Sequence, residues 1–321
     1  MIPKLSICVF IKDNNIGAFG LWESMAQLMP FANEFFVLDL GSTDGTYEIL
    51  KTLSARNNKI RVEQGTFPVN PITNEIDAGS FAVIPNEMIA AAKNDLVMYY
   101  QADEIFHEDL LSQLKVKLAQ WKRKEFRGYS FWRYQLANNF QHVKWFPHLV
   151  HRIDFKDRFN FVGDGMNTDR TNDAELVSNY EASWFTRWGS EYQDEGLTSK
   201  YNFEDPTLNL YERLKSGDGY GTISHSLPTN EMILDISSLG GFLTNIIEKR
   251  KHHASFWNES DEHINIGGRF YRLDEWAADQ KKCADWTQKE SPFNIPEIMK
   301  VHVGELSYRV RQDILNKIEN G

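Results

Sequence analysis

The residues best suited to chemistry are two adjacent acids at the end of an apolar run: Leu96-Val97-Met98-Tyr99-Tyr100 is followed by Gln101-Ala102-Asp103-Glu104. Carboxylates beside a buried strand are costly to desolvate unpaired. A divalent cation solves that problem, and Mg2+ and Mn2+ favour carboxylate and phosphate oxygens together. A metal held there can bridge a diphosphate and neutralise a leaving group. The other reading of the same four residues is a solvated acidic turn.

Elements must position these acids. Leu5–Ile11, Phe35–Leu40 and Leu96–Tyr100 are apolar, β-rich runs, read as buried strands, and Ile60–Glu63 is read as a short strand between them. Helical spacing follows each in turn, over Ala18–Met29, Tyr47–Arg56, Pro85–Lys93 and Leu110–Arg123. This alternation predicts a doubly wound α/β domain with a mostly parallel sheet flanked by helices. Ligands of such sheets bind beyond the C-terminal strand ends. Tyr129–Gln135 and Val143–Ile153 are expected as further strands in a hairpin-like extension. Beyond Asp173 the pattern predicts a mainly helical extension, near Ala174–Arg187, Pro206–Lys215, Thr229–His252 and Leu273–Thr287. A boundary near residue 172 divides a ligand-binding part, 1–172, from an acceptor-side part, 173–321, that completes the site.

Two segments carry a resemblance. Val37-Leu38-Asp39-Leu40-Gly41-Ser42-Thr43-Asp44-Gly45-Thr46 resembles the V-D-D-G-S-T-D-G-T segment of family 2 glycosyltransferases of the GT-A fold. Met98 to Ile105 resembles their acidic metal motif, D-x-D, in the branch that reads Gln-Ala-Asp-Glu. The resemblance covers roughly residues 4 to 155 and, more weakly, the rest. It implies a GT-A-like fold. It also implies transfer of a hexosyl or pentosyl group from a UDP- or GDP-type nucleotide sugar, with inversion, assisted by Mn2+ or Mg2+. Asp39 would contact the base or ribose, and Asp44 would stabilise that loop or the nucleotide site. Asp103 would be the main metal ligand and Glu104 would support it. Two positions depart from the pattern, since Leu40 and Gln101 stand where acids are usual.

Further candidates follow from the same resemblance. Lys12 or Asp13 would line the base pocket, or belong to an ordinary polar loop. Asn86 would lie near the diphosphate, or simply open a helix after Pro85. Arg152 would meet a phosphate or a buried acid. His225, with His302 as its rival, would complete the metal or diphosphate site. An inverting transfer needs a general base, and Asp164, between Gly163 and Gly165, is the candidate by chain order. Trp132, Tyr134, Trp145 and Phe146 would line an acceptor groove or fill core.

Composition narrows the partners. A net charge of −10 argues against free duplex nucleic acid. Cys8 and Cys283 form neither a disulfide framework nor a zinc spacing, which fits a reducing cytoplasm. No apolar run approaches the ~18 residues of a membrane span. The acceptor stays open among glycan, protein, lipid carrier and modified nucleobase. Two other readings stand beside the transferase. One is a degenerate carbohydrate-binding or assembly subunit. The other is a sugar nucleotidyltransferase, which would want a Gly-rich basic loop where this chain has Lys12-Asp13-Asn14-Asn15-Ile16-Gly17.

Overall fold

A computed structural model describes residues 3–17, 19–68, 80–123, 125–135, 148–162, 167–168, 175–177, 232–236, 263–266, 269–272, 274–275, 296–300 and 310–321. Its first part alternates β1 (Leu5–Ile11), α1 (Asn14–Gly17), α2 (Leu21–Leu28), β2 (Glu34–Asp39), α3 (Thr46–Arg56), β3 (Ile60–Gln64), α4 (Ser80–Ala91) and β4 (Leu96–Tyr99). There follow β5 (Glu104–Phe106), α5 (Glu108–Ala119), β6 (Tyr129–Gln135), β7 (His148–Phe155), β8 (Phe161–Val162), β9 (Asn167–Thr168) and β10 (Glu175–Leu176). Later in the chain come β11 (Ile233–Asp235), the hairpin β12 (His263–Ile266) and β13 (Arg269–Arg272), α6 (Glu297–Lys300) and α7 (Gln312–Asn320).

The main sheet runs β3-β2-β1-β4-β7-β6-β11-β5, with β10 on β6. It is mostly parallel; β7 runs against β4 and β6, and β5 against β11. The unbroken apolar runs are explained by burial on both faces. Leu5, Ile7, Val9 and Ile11 of β1 join Phe35, Val37, Leu96 and Met98 in one core, under α2, α3, α5 and α7. Cys8, Phe36, Val97 and Tyr99 face the other way, against Ile84, Met88 and Ile89 of α4. Two connections with helices on the first face step outward from β1 to β3, and α4 crosses back over the second face to β4. The strand order therefore reverses between β1 and β4, which is the place where open α/β sheets form a crevice.

The second half of the sheet curls. In hydrogen-bonded order β4 and β5 are separated by β7, β6 and β11. In sequence only residues 100 to 103 separate them. So short a turn joins the two ends of the path only if those strands bend round a shared interior.

Beyond residue 172, β10 and β11 join the main sheet, and α6 and α7 pack on its first face. The sequence pattern places a helix over Thr229–His252, yet Ile233–Asp235 is a strand inserted between β6 and β5. Similarly, Glu175–Leu176 pairs with β6 where a helix was expected. Tertiary pairing overrides helical periodicity in both short apolar segments. The expected helix near Pro206–Lys215 lies outside the described residues. Helix α7 buries Ile314 and Ile318 in the first core and is pinned by the Asn57 side-chain amide, which donates to the Ile318 carbonyl at 2.8 Å. No helix among the described residues is long and apolar enough to cross a membrane.

Gly128 leads into β6 with φ +94°. A Cβ there would lie 2.4 Å from Cε1 of His151 and 2.9 Å from Oδ2 of Asp154. Both are buried, with Nε2 of His151 3.2 Å from Oδ2 of Asp154 and Nδ1 3.3 Å from the Ser130 hydroxyl. Gly128→Ala is thus expected to lower stability by about 3 kcal/mol, combining overpacking and left-handed strain, as read by urea denaturation.

Candidate functional site

The crevice side of β1 and β2 is made by two loops laced together. Asp13 takes a left-handed φ of 51°, a conformation that Asp tolerates better than most residues. Its N–H donates to the Ser42 hydroxyl at 2.8 Å, and its Oδ1 accepts from the Thr43 N–H at 2.5 Å. Asp44 accepts from the N–H groups of Ile16 at 2.8 Å and Thr46 at 3.0 Å. Gly41 and Gly45, at φ +83° and +87°, make the turns. Each residue of Gly-Ser-Thr-Asp-Gly therefore has a local task in holding the end of β2 beside the end of β1. Asp44 serves the loop, one of the two roles expected of it.

Asp39 ends β2 and is fully buried. Its Oδ1 accepts from Gly41 N–H at 3.0 Å and Ser42 N–H at 2.9 Å. Its Oδ2 is buried and has no hydrogen-bond partner among the described residues. A buried carboxylate oxygen left so costs free energy unless a ligand supplies a donor. Lys12, beside this loop, is half-buried. Leu40, where an acid is usual, is buried in the α4-side core.

The acidic turn is closed from both ends. The Glu104 N–H donates to the Gln101 carbonyl at 2.9 Å, and the Gln101 N–H donates to Oε2 of Glu104 at 3.1 Å. Glu104 was expected to support a metal, but the structure commits its carboxylate elsewhere. Arg152 of β7 grips it in bidentate fashion, Nη2 to Oε1 at 2.6 Å and Nε to Oε2 at 3.0 Å. Arg133 of β6 places Nε 3.3 Å from Oε1 and pairs through Nη2 with Asp235. Glu104, Arg152, Asp235 and Arg133 are all buried. Burial works against the charge on Glu104, but Arg152 and then Arg133 outweigh it and hold the carboxyl below its ordinary value. Burial likewise opposes the charge on Arg133, and Glu104, Asp235 and Asp103 restore it. Arg152 thus meets a buried acid, the second of its two expected partners. Glu104, bonded by Arg152 and the Gln101 N–H and ion-paired with Arg133, is a poor cation ligand. Asp103, partly exposed at the turn, is the carboxylate that fits one.

Asn86 is not at a helix start. The helix begins at Ser80, with Pro85 inside it. Both ends of the Asn86 amide bond the main chain of Phe161, accepting from its N–H at 2.8 Å and donating to its carbonyl at 3.0 Å. That geometry gives it the task of fastening β8 to α4. Trp132 is buried, which fits core. Asp164, His225, His302, Trp145 and Phe146 lie outside the described residues, as does the side chain of Tyr134. Among the described residues no group of three or more His, Cys, Asp or Glu side chains is arranged to hold a metal.

Sequence reading missed Arg133 and Asp235. The signal was present: each is a lone charge inside an apolar strand, Tyr-Ser-Phe-Trp-Arg-Tyr and Met-Ile-Leu-Asp-Ile. Charges so placed are almost always paired.

The sequence matches no family model and no curated protein. Solved structures resemble part of the chain. TarS from S. aureus is 18% identical over 42% of this chain and 22% of its own, with a TM-score of 0.28. Glucosyl-3-phosphoglycerate synthase from Mycobacterium tuberculosis, in complex with Mn2+, UDP and glucosyl-3-phosphoglycerate, is 19% identical over 42% and 44%, with a TM-score of 0.27. The mannosyltransferase PcManGT from Pyrobaculum calidifontis, in complex with GDP-Man and Mn2+, is 15% identical over 43% and 36%, with a TM-score of 0.28. The chain spans less than half the length of each of these three.

The ion network makes a stability prediction. Arg152→Met leaves Glu104 buried beside a single guanidinium and should cost about 3–5 kcal/mol. Glu104 binds its proton less readily folded than unfolded. Its contribution is complete above the ordinary value of 4.5 and is lost as pH falls toward the lower folded value. The charge-balanced double variant Glu104→Met/Arg152→Met should show a flatter stability profile than wild type below that pH in chemical denaturation.

Proposed function

We propose that the chain is a glycosyltransferase that takes a nucleotide-diphosphate sugar as donor. The observation that carries this reading is the placement of Asp39 at the end of β2 and of Asp103 in the turn after β4, on the two strands that flank β1. One is a buried carboxylate with an unanswered oxygen, suited to N–H or O–H donors of a base or ribose. The other is a partly exposed carboxylate on a fixed turn, suited to a cation that also binds phosphate.

In this reading the loop held by Asp13, Asp44 and the two turn glycines shapes the nucleotide pocket, with Lys12 at its edge. Asp103 would hold Mn2+ or Mg2+ as the principal protein carboxylate, with His225 joining it. Such a cation, once bound, would stabilise negative charge on the departing diphosphate. Asp164 would take the proton from the acceptor hydroxyl as the sugar carbon is inverted. The donor base, the sugar and the acceptor follow from binding rather than from the fold.

One observation favours a second reading. Three of the four residues of the acidic turn offer no carboxylate for a cation, since Gln101 and Ala102 have none and Glu104 is held by arginines. A degenerate binding subunit would keep the nucleotide pocket and lose turnover.

A thermal-shift panel of UDP, GDP and their sugars with Mn2+ tests the donor. A true ligand at a hundred times its Kd should stabilise the fold by about 2.7 kcal/mol. Asp103→Ala should remove the Mn2+-dependent part of that shift. If it left both this shift and donor hydrolysis unchanged, the assignment of Asp103 would be wrong. Mn2+-dependent binding without any donor hydrolysis or transfer would favour the binding subunit.

A further inference from the structure

The structure assigns Glu104, Arg152 and Arg133 as positioning residues that set the direction of the Asp103 carboxylate without touching the donor or its cation. This rests on the reading of Asp103 as the donor-site carboxylate.

Asp103 is held through its main chain from two directions. On one side is the closed turn. Oε2 of Glu104 accepts from the Gln101 N–H at 3.1 Å, so the side chain of the residue after Asp103 returns to the residue two before it. With the Glu104 N–H on the Gln101 carbonyl at 2.9 Å, residues 101 to 104 form a ring closed twice. On the other side is β11. The Ile236 N–H donates to the Asp103 carbonyl at 2.9 Å, immediately after Asp235, which lies opposite Glu104 in the β5–β11 register.

The ion network fixes both holds in one geometry. Arg152 orients the Glu104 carboxylate by its two parallel bonds, and such a fork allows little rotation. Arg133 joins Glu104 to Asp235, so it ties the turn to the strand whose next residue grips Asp103. A displaced Glu104 would release the Gln101 N–H and loosen the β5–β11 register together. Partners that orient a metal ligand in this way alter metal affinity by about 10–100-fold when removed.

A purely structural ion cluster would affect stability alone. The discriminating quantity is the part of nucleotide affinity that Mn2+ adds, obtained from UDP and GDP titrations in Mn2+ and in EDTA by calorimetry. The double variant Glu104→Met/Arg152→Met removes one buried pair and leaves Arg133 with Asp235, so charge stays balanced and packing volume is kept. Replacement of a buried pair by apolar residues is often neutral for stability. The expected result is a loss of about tenfold or more in the Mn2+-dependent increment, with EDTA-state nucleotide affinity unchanged in a protein that still folds. Arg152→Lys keeps the charge but loses the fork, and should give a smaller loss in the same increment; it decides the matter if the double variant does not fold. A folded variant with the full Mn2+ increment would overturn the proposal and leave the donor site standing. A wild-type protein with no Mn2+-dependent nucleotide binding would instead overturn the donor-site reading on which it depends.

Discussion

The Glu104 carboxylate, clasped between two guanidinium groups, is the interaction on which the second half of this molecule depends. The strands from β4 to β5 close on themselves within a four-residue turn, residues 100 to 103. Such a curl has an interior, and its lining includes two acids and two arginines as well as apolar side chains. Removing one member would strand a buried charge, at a cost several times that of a surface pair. Those four residues come from β5, β6, β7 and β11. Their pairing therefore specifies which strands meet and in what register, a job that apolar packing performs less selectively.

The first half reaches its geometry by different means. There β1, β2 and β4 are apolar on both faces and the specificity sits in the loops. Asp13, Asp39 and Asp44 accept main-chain N–H groups and so convert a Gly-Ser-Thr-Asp-Gly segment into a rigid rim. Asp44 spends both oxygens on this, while Asp39 keeps one in reserve. The two residues are the same type in one motif, and what tells them apart is the count of oxygens already bonded to the main chain.

Legibility in the sequence followed the same division. The parallel strands and their helices could be read because local periodicity and global burial agree there. Tyr129–Gln135 was legible for that reason, and so was the position of Asp103 at a strand end. The strands β5, β10 and β11 were not. Each is two or three residues long and takes its conformation from partners distant in sequence, as when Ile233 lies between Arg133 and Phe106. No window around Thr229–His252 contains that information. Glu104 was legible as an acid in the right place, but its partners come from strands 29 and 48 positions later, Arg133 and Arg152. Its role could not be separated from that of Asp103 without them.

The departures in the acidic turn acquire a physical sense from this arrangement. Glu104, Asp235, Arg133 and Arg152 sum to zero charge, so Asp103 supplies the net negative charge of the group. An acid at Gln101 would bring another carboxylate to a turn where the main-chain N–H of that residue already serves Glu104. Gln101 supplies the same N–H with a neutral side chain. On the proposed reading, the turn would exchange a ligand shared among several acids for one carboxylate, Asp103, on a backbone closed at both ends. Its strength as a cation site would then depend on orientation rather than on the number of charges, and orientation is what buried arginines, far better than solvent-exposed lysines, can enforce.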